Sequence, residues 1–593
     1  MGSGDDNPLP VDNLEPVDSL FSANNTIDSK SLPWFQRNFI VNQEKVLFGT
    51  WDGVFPTVIV NIFGIIIFLR MGWIVGTAGI ANSVLLLIIC TTLSFITVLS
   101  AIGICERCQI KNGGIYFLVS HVLGGRIGGA VGLIYVFGQA VGTSLVAVGF
   151  GESVARFFNS SNVYLIKFIA VSIILCLTVI NSAGVRWIIR IQMVLLFFLF
   201  IAIVDFFLGA MHGHNYEMGL GSLNSKTFEA NKDPHYDTFN CTSVGYNVVL
   251  PGNESFFTVF GVFFANFLGV LAGTNMSSDL RDPKRNIALG EISAITVSSL
   301  TCLVFILCLG ASVDRPYLLC DIMINERVSL TKFIFLTGLY LSSLSSIIGS
   351  LIGTPRVLQG LAAEGIIPTL APLSQGVGAN NNPVRAGLVM MGVAVAFVLF
   401  GSLNQLAVMS AMPFLITYAF VNYSYASLAM SYDLQEIHAL ESKTTPGYGA
   451  VESGNLNELF KNGDANTIGN TGSNGYSTFS SRYISLIGAM INILIIFLID
   501  FWLAIVQLLI FIALHAYIGM VSRCSSPGIS QFSIYSLFHT IFASDSFVNS
   551  ENTGFVINSE QLPSHSIEDS VLTERNTDYA ERKNYHHNES IDN

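Results

Sequence analysis

Twelve apolar runs alternate with polar stretches along the chain, at about 52–76, 80–104, 127–157, 163–182, 186–211, 255–279, 287–312, 331–354, 384–402, 404–430, 484–502 and 504–521. An α-helix needs about 20 apolar residues to cross the hydrocarbon core of a bilayer, and each run is close to that length or longer. The pattern predicts an all-α membrane protein with twelve transmembrane helices. In the first and sixth runs an amide side chain and a glycine interrupt the apolar sequence, as Asn61-Ile62-Phe63-Gly64-Ile65-Ile66 and Asn266-Phe267-Leu268-Gly269-Val270-Leu271. Glycine weakens a helix, and unwound backbone at membrane depth is tolerated only where it lines a protected cavity. A pair of interrupted helices at matching positions in two halves points to the binding site of a secondary transporter built as an inverted five-plus-five repeat.

The polar stretches divide the rest. Residues 1–45 are expected to be a disordered cytoplasmic amino terminus, and 46–430 a transport core of ten helices. A cytoplasmic polar linker is expected over 431–482, the last two helices over 483–521, and a short cytoplasmic tail over 522–593. The amino terminus has no signal-peptide pattern, so the first span is expected to direct insertion. With both termini cytoplasmic, the inner loops carry Arg107, Lys111, Arg126, Arg186, Arg190, Arg281, Lys284, Arg285, Arg356 and Arg385, against Arg315, Arg327 and Lys332 outside. That asymmetry follows the positive-inside rule. The outer loop 212–254 then holds two glycosylation sequons, at Asn240 and Asn253.

Composition agrees and removes alternatives. The chain is 51% hydrophobic and 11% charged, with a mean hydropathy of +0.58, which places it among multi-span membrane proteins. The net charge of −12 gathers in the termini and the mid-chain polar stretch, and nothing suggests nucleic-acid binding. No soluble segment is large enough for a catalytic domain, and there is no nucleophile–base pair or phosphate loop, so an enzyme is not expected. No cofactor is expected either, and no metal beyond transported ions. Nine cysteines are scattered rather than arranged as a disulfide framework. Cys105 and Cys108 have CxxC spacing without further ligands for zinc. Cys241 and Cys320 both fall in outer loops, and whether they pair stays open at this level.

Several stretches resemble the cation-chloride cotransporters, solute carrier family 12. They are Gly49-Thr50-Trp51-Asp52-Gly53-Val54 leading into Asn61–Gly64, Leu69-Arg70-Met71-Gly72-Trp73-Ile74-Val75-Gly76, and Asn112-Gly113-Gly114-Ile115-Tyr116 through Gly128–Leu133. Ala272-Gly273-Thr274-Asn275-Met276-Ser277-Ser278-Asp279-Leu280 with Asp282-Pro283, and Thr354-Pro355-Arg356-Val357-Leu358-Gln359, complete the set. The resemblance covers roughly residues 45–430 and implies the amino-acid–polyamine–organocation (LeuT-like) fold with broken helices 1 and 6. It implies chloride bound through the backbone of Gly64, Ile65 and Ile66 at one site, and by Gly269, Val270, Leu271 and Tyr418 at a second. It also implies sodium held by Ser345 and Ser346 with Ser342 and the carbonyl region of Ile62. The same serines equally form a small-residue packing face. The family's potassium site matches at Asn61 alone: its tyrosine, proline and threonine positions read Val146, Ala265 and Leu268. Two side-chain oxygens are missing there, and Asn266 is a candidate to supply a replacement.

Ionisable residues near the spans are fewer. Arg70 either draws anions to an entry path or snorkels to the interface. Glu152, Asp205 and Asp500 are candidate proton carriers or plain span-end carboxylates. The leading expectation is cation-coupled chloride cotransport, sodium favoured and the potassium site degraded, in the plasma membrane or an endomembrane. Transport of an organic solute (an amino acid, polyamine or nicotinamide mononucleotide) is the alternative, and a non-transporting modulator of other transporters is a third. The partners expected are chloride, a monovalent cation and the lipid bilayer. A homodimer through the last two spans and a monomer both stay open.

Overall fold

The computed structural model describes residues 47–108, 114–158, 160, 162–182, 185–212, 221, 223–244, 249–250, 252, 254–277, 280–376, 382–444, 481–522 and 528. A helix stands at every one of the twelve apolar runs. Eleven are long and apolar enough to cross a membrane, and the ninth run forms a shorter apolar helix, Val384–Phe400. This is an all-α multi-pass membrane protein, with one two-residue ladder, Phe239–Asn240 against Val249–Leu250, as the only sheet among the described residues.

In chain order, a turn of π-helix at Thr50–Val54 leads into α1 (Phe55–Ile62) and α2 (Ile65–Leu69), followed by the long α3 (Met71–Arg107). Then come α4 (Ile115–Leu123), α5 (Gly125–Phe157), α6 (Val163–Ser182), α7 (Val185–His212) and the short α8 (Ser225–Ala230). The sixth span is α9 (Phe256–Phe264), a 3-10 turn over Ala265–Gly269 and α10 (Ala272–Asn275). Next are α11 (Pro283–Ser312), the small α12 (Arg315–Cys320) and α13 (Ile324–Val328), and α14 (Lys332–Ala363). The chain closes with α15 (Val384–Phe400), α16 (Leu403–Thr444), α17 (Arg482–Ile499) and α18 (Phe501–Val521). α16 runs on to Thr444, so its helix enters what the polar composition marks as linker.

Burial sorts the spans. The two that carry interruptions are buried along most of their length, whereas Val163–Ile180 and Phe501–Val521 are largely exposed. Their outward side chains, such as Phe168, Val179, Leu509 and Met520, form the apolar surface a bilayer would cover. Continuous hydrophobicity is the mark of membrane helices, and it leaves small residues to set which helices come close. Gly149 of α5 packs on α2, where an added Cβ would lie 2.4 Å from Ile65.

Both expected breaks are present. α1 ends at Phe63 (φ −77°, ψ 51°), and Gly64 is extended (φ −73°, ψ −172°) before α2 begins. Gly64 uses no left-handed conformation, and a Cβ there would meet only Asn61 O, at 3.6 Å. Glycine earns its place at Gly269 instead, where a Cβ would lie 2.4 Å from Asn61 Cβ. That close approach brings the two breaks together.

The amino-terminal end of the first broken span is also tied to the segment that follows the sixth. Phe48 bridges to Leu280, Phe48 O accepts from Arg281 N at 2.9 Å, and Thr50 Oγ1 donates to Asn286 Oδ1 at 2.9 Å. At the other end of the bundle, Asn325 of α13 donates to Ile67 O and Phe68 O at 3.0 and 2.9 Å, capping carbonyls that α2 leaves open.

Cys241 and Cys320 are disulfide-bonded, with Cα atoms 5.7 Å apart, which fastens the loop before the sixth span to α12. The same loop docks at Gly79, whose φ of 73° turns the chain inside α3, with Ile80 N donating to Asn231 O at 3.0 Å.

Candidate functional site

The two breaks and the faces of α5 and α14 enclose a cavity of about 40 Å³. Its wall contains Asn61, Gly64, Ile65 and Ile66 from the first break and Ala265, Asn266, Leu268 and Gly269 from the second. α5 contributes Gln139 and Val146, and α14 contributes Ser346 and Ser350. A second small cavity shares Asn61, Gln139, Gly269 and Ser350 and continues along Thr57, Asn275 and Thr354 to Arg356. The space around the breaks therefore extends toward the Arg356 end of the bundle.

The opposite end is clasped. Arg70, just after α2, donates through Nε to Asn404 Oδ1 at 2.8 Å and pairs with Glu152 of α5 at 3.3 Å. The two charged side chains are only 11% and 13% exposed. Arg70 thus neither snorkels nor stands open to anions: it joins α2, α5 and α16. Asp205 accepts from Thr331 N at 3.0 Å and Asp500 caps α18 through Leu503 N at 3.0 Å, so both have structural work.

The positions expected to hold chloride divide into two groups. Gly64, Ile65, Ile66 and Gly269 face the cavity. The first N–H groups of a helix lack intrahelical partners and carry positive potential, and Ile65 and Ile66 open α2. Val270, Leu271 and Tyr418 are buried outside the cavity wall. Tyr418 donates its hydroxyl to Phe267 O at 2.8 Å and Leu268 O at 3.0 Å. In this arrangement its single proton serves the carbonyls freed by the 3-10 turn.

The expected sodium positions gather beside the first break. Ser342 Oγ donates to Phe63 O, and Ser346 Oγ approaches Asn61 Oδ1 at 3.5 Å. Ser345 Oγ is buried with no hydrogen-bond partner. A buried hydroxyl without a partner costs roughly 1–3 kcal/mol, and a bound cation would relieve it. Ile62 is fully buried at the end of α1. The four positions expected to form a degraded potassium site, Asn61, Val146, Ala265 and Leu268, all reach one cavity wall. Asn61 Nδ2 donates to Thr57 O at 2.8 Å. Asn266, in the same wall, donates to Phe263 O at 3.0 Å and keeps a buried Oδ1 without a partner.

Sequence reasoning missed three contributors. Gln139 lies two helical turns before Val146, so period 3.6 places it on the same face, and it donates to Tyr135 Oη at 2.9 Å. Ser350 lies one turn after Ser346 and borders both cavities. Asn275 of α10 donates to Tyr135 Oη at 2.5 Å and accepts from Ile115 N at 3.3 Å. Of the two sequons, Asn240 is exposed beside the disulfide, and Asn253 lies outside the described residues. Cys105 and Cys108 are buried free thiols, and no cluster of metal-ligating side chains occurs among the described residues.

Two broken helices closing on a small cavity inside a bundle of membrane spans define a membrane transporter. The amino acid permease family model matches residues 53–448, and the chain belongs to that family, whose members are transporters and not enzymes. Among curated proteins it is similar to solute carrier family 12 member 8 of Xenopus laevis, with 42% identity over 71% of this chain and 56% of the relative. The human protein of that name is 44% identical over 67% of this chain and 54% of its own length. Human solute carrier family 12 member 1 is 28% identical over 82% of this chain and 43% of its own length. The chain thus spans little more than half the length of the member 8 proteins it matches. The resemblance to solute carrier family 12 drawn from the motifs is borne out.

Proposed function

We propose that this protein is a secondary active transporter that moves chloride together with a monovalent cation, with sodium favoured over potassium. The observation that carries the reading is the 40 Å³ cavity, walled on one side by the start of α2 and on another by amide and hydroxyl side chains. A cavity of that size accepts a few waters or small ions. The freed N–H groups of Gly64, Ile65 and Ile66 suit an anion. Ser345 Oγ, Ser346 Oγ, Asn61 Oδ1 and Asn266 Oδ1 are hard oxygens, the donor type that alkali cations take. Val146, Ala265 and Leu268 bring no side-chain oxygen to the same wall, which argues against the family's potassium site.

The breaks in the first and sixth spans support an inverted five-plus-five repeat. The basic residues at the Arg356 end support a cytoplasmic assignment for that end, with both termini inside. Asn240, exposed on the disulfide-fastened loop, is then an outer glycosylation site.

Tracer chloride uptake into proteoliposomes, with sodium, potassium or an impermeant cation outside, tests the proposal. Sodium-stimulated, potassium-independent uptake is expected. No chloride flux under any cation from folded, inserted protein would overturn it. Restoring Val146→Tyr, Ala265→Pro and Leu268→Thr together is expected to introduce potassium dependence. The family description favours a second reading, an organic solute such as an amino acid. It predicts flux of labelled amino acids, polyamines or nicotinamide mononucleotide in the same vesicles, through a site that must widen well beyond 40 Å³.

A further inference from the structure

A carboxyl group buried inside the described bundle is that of Glu291, in the third turn of α11. Its side chain is fully buried. Oε1 accepts from Thr274 N at 3.0 Å and from Thr274 Oγ1 at 3.1 Å, while Oε2 is buried with no hydrogen-bond partner. Thr274 belongs to α10, the segment that resumes the sixth span after its break and whose neighbours Asn275 and Met276 border the cavity leading to Arg356. Glu291 also sits against Gly273, where a Cβ would lie 2.9 Å from Oε1. One carboxyl group therefore joins the second half of a broken helix to a long, unbroken one.

No cation among the described residues pairs with it. Cys105 on α3, Tyr135 on α5 and Tyr418 on α16 are the titratable groups within electrostatic range. The charged groups on elements packed against α11 are engaged elsewhere or lie toward its ends. Asp52 accepts from Gly49 N at 2.6 Å, and Lys284 donates to Glu106 O at 3.0 Å. Arg107 donates to Gly103 O at 3.1 Å, and Asp205 to the far side accepts from Thr331 N at 3.0 Å. α7 also contributes Arg186 and Arg190 near its start, and α8 contributes Lys226 and Glu229, beside the opposite end of α11.

We propose that Glu291 is a proton-binding site whose protonation is linked to movement of α10, so that transport by this protein responds to protons as well as to its ions. An ionised carboxylate that is dry, unpaired and half satisfied carries an uncompensated burial cost. The described geometry therefore suits the neutral acid, with its proton on Oε2. When that proton leaves, Oε2 draws water, by way of the cavity on the Arg356 side that Asn275 and Met276 border. Hydrating Oε2 parts α10 from α11 and opens that route; reprotonation closes it. The ligand is the proton itself, and no other chemistry is needed. The link to transport rests on the reading of the preceding section, but proton binding and helix movement do not.

Two readouts test it without any chloride flux. Infrared difference spectra of the full-length protein in lipid, taken between alkaline and acidic medium, are expected to show a carboxylic-acid C=O band that E291Q lacks. For the helix movement, Ser350→Cys is introduced together with Cys176→Ser, because Cys176 is the exposed free cysteine among the described residues. Labelling by a water-soluble thiol reagent is expected to rise about tenfold from acidic to alkaline medium. In E291Q, which keeps the acceptor for Thr274, it should stay at the acidic value throughout. T274V, which removes one donor and leaves the backbone bond, should move the midpoint of the profile and keeps the test available if E291Q fails to fold. A pH profile unchanged in E291Q or T274V, or an infrared band that survives E291Q, would overturn the proposal. Absent chloride flux with intact pH-dependent labelling would count against the ion reading alone.

Discussion

Single atoms decide much of this site. Ser345 Oγ has no partner, so Ser345→Ala removes a buried hydroxyl that the fold leaves unsatisfied. Its thermal midpoint in sodium-free medium is expected to hold or rise, while the sodium concentration for half-maximal uptake rises about tenfold, the cost of one lost oxygen ligand of roughly 1–3 kcal/mol. A lowered thermal midpoint with unchanged sodium dependence would make Ser345 a packing residue. The two break glycines should also separate. Gly64→Ala meets only Asn61 O at 3.6 Å and should lower stability by less than about 1 kcal/mol. Gly269→Ala drives a methyl into Asn61 Cβ, at 2.4 Å, and should cost about 1–3 kcal/mol and most of the uptake. Chemical denaturation with tracer flux on both variants checks the order. The motif alone singles out both glycines, because Asn-x-x-Gly followed by two aliphatic residues occurs twice. It does not reveal that one is there for the approach of a neighbour and the other is not, since that neighbour is about 200 residues away in sequence.

Elements turn these atoms into a mechanism. The freed carbonyls of Phe267 and Leu268 are held by the Tyr418 hydroxyl from α16. Tyr418→Phe leaves them without that donor and should lower stability by about 1–3 kcal/mol, seen as a drop in thermal midpoint. An unchanged midpoint with lost chloride dependence would instead favour a ligand role. At the far end, Glu152→Gln weakens the clasp to Arg70, a nearly buried pair. Labelling of a cysteine placed at Val146 should then rise from the Arg70 side several-fold, because breaking one partner of such a pair leaves a charge uncompensated. Unaltered labelling would show that Asn404 suffices to hold Arg70. Helices were legible in the sequence because their apolar runs are long. Gln139 and Ser350 were also legible in principle, being on the faces of Val146 and Ser346 by helical period. Glu291 was not: a lone carboxylate in an apolar run takes its meaning from Thr274, on a different helix.

At the scale of the molecule, the outer loop is part of the framework. The Cys241–Cys320 bond closes a sequence separation of 79 residues that includes the sixth and seventh spans. Replacing both cysteines by serine should lower stability by about 2–4 kcal/mol, read as a fall in thermal midpoint. Thiol labelling of the native protein that finds both cysteines free would remove the basis for that expectation. The sequence left this pairing open because it carries no distances. The multi-span all-α class and the location of two breaks follow from composition and spacing alone, since a bilayer imposes one solution on a run of about 20 apolar residues. Which side chains meet at the breaks is a different kind of fact. The convergence of Asn61, Val146, Ala265, Leu268 and Ser346 on one cavity, the Arg70 clasp and the grip of Glu291 on Thr274 join residues from 17 to 334 positions apart. Hydrophobic pattern sets which segments enter the membrane but is nearly uniform around their surfaces. Only close packing, through small residues and a few hydrogen bonds, selects which faces come into contact.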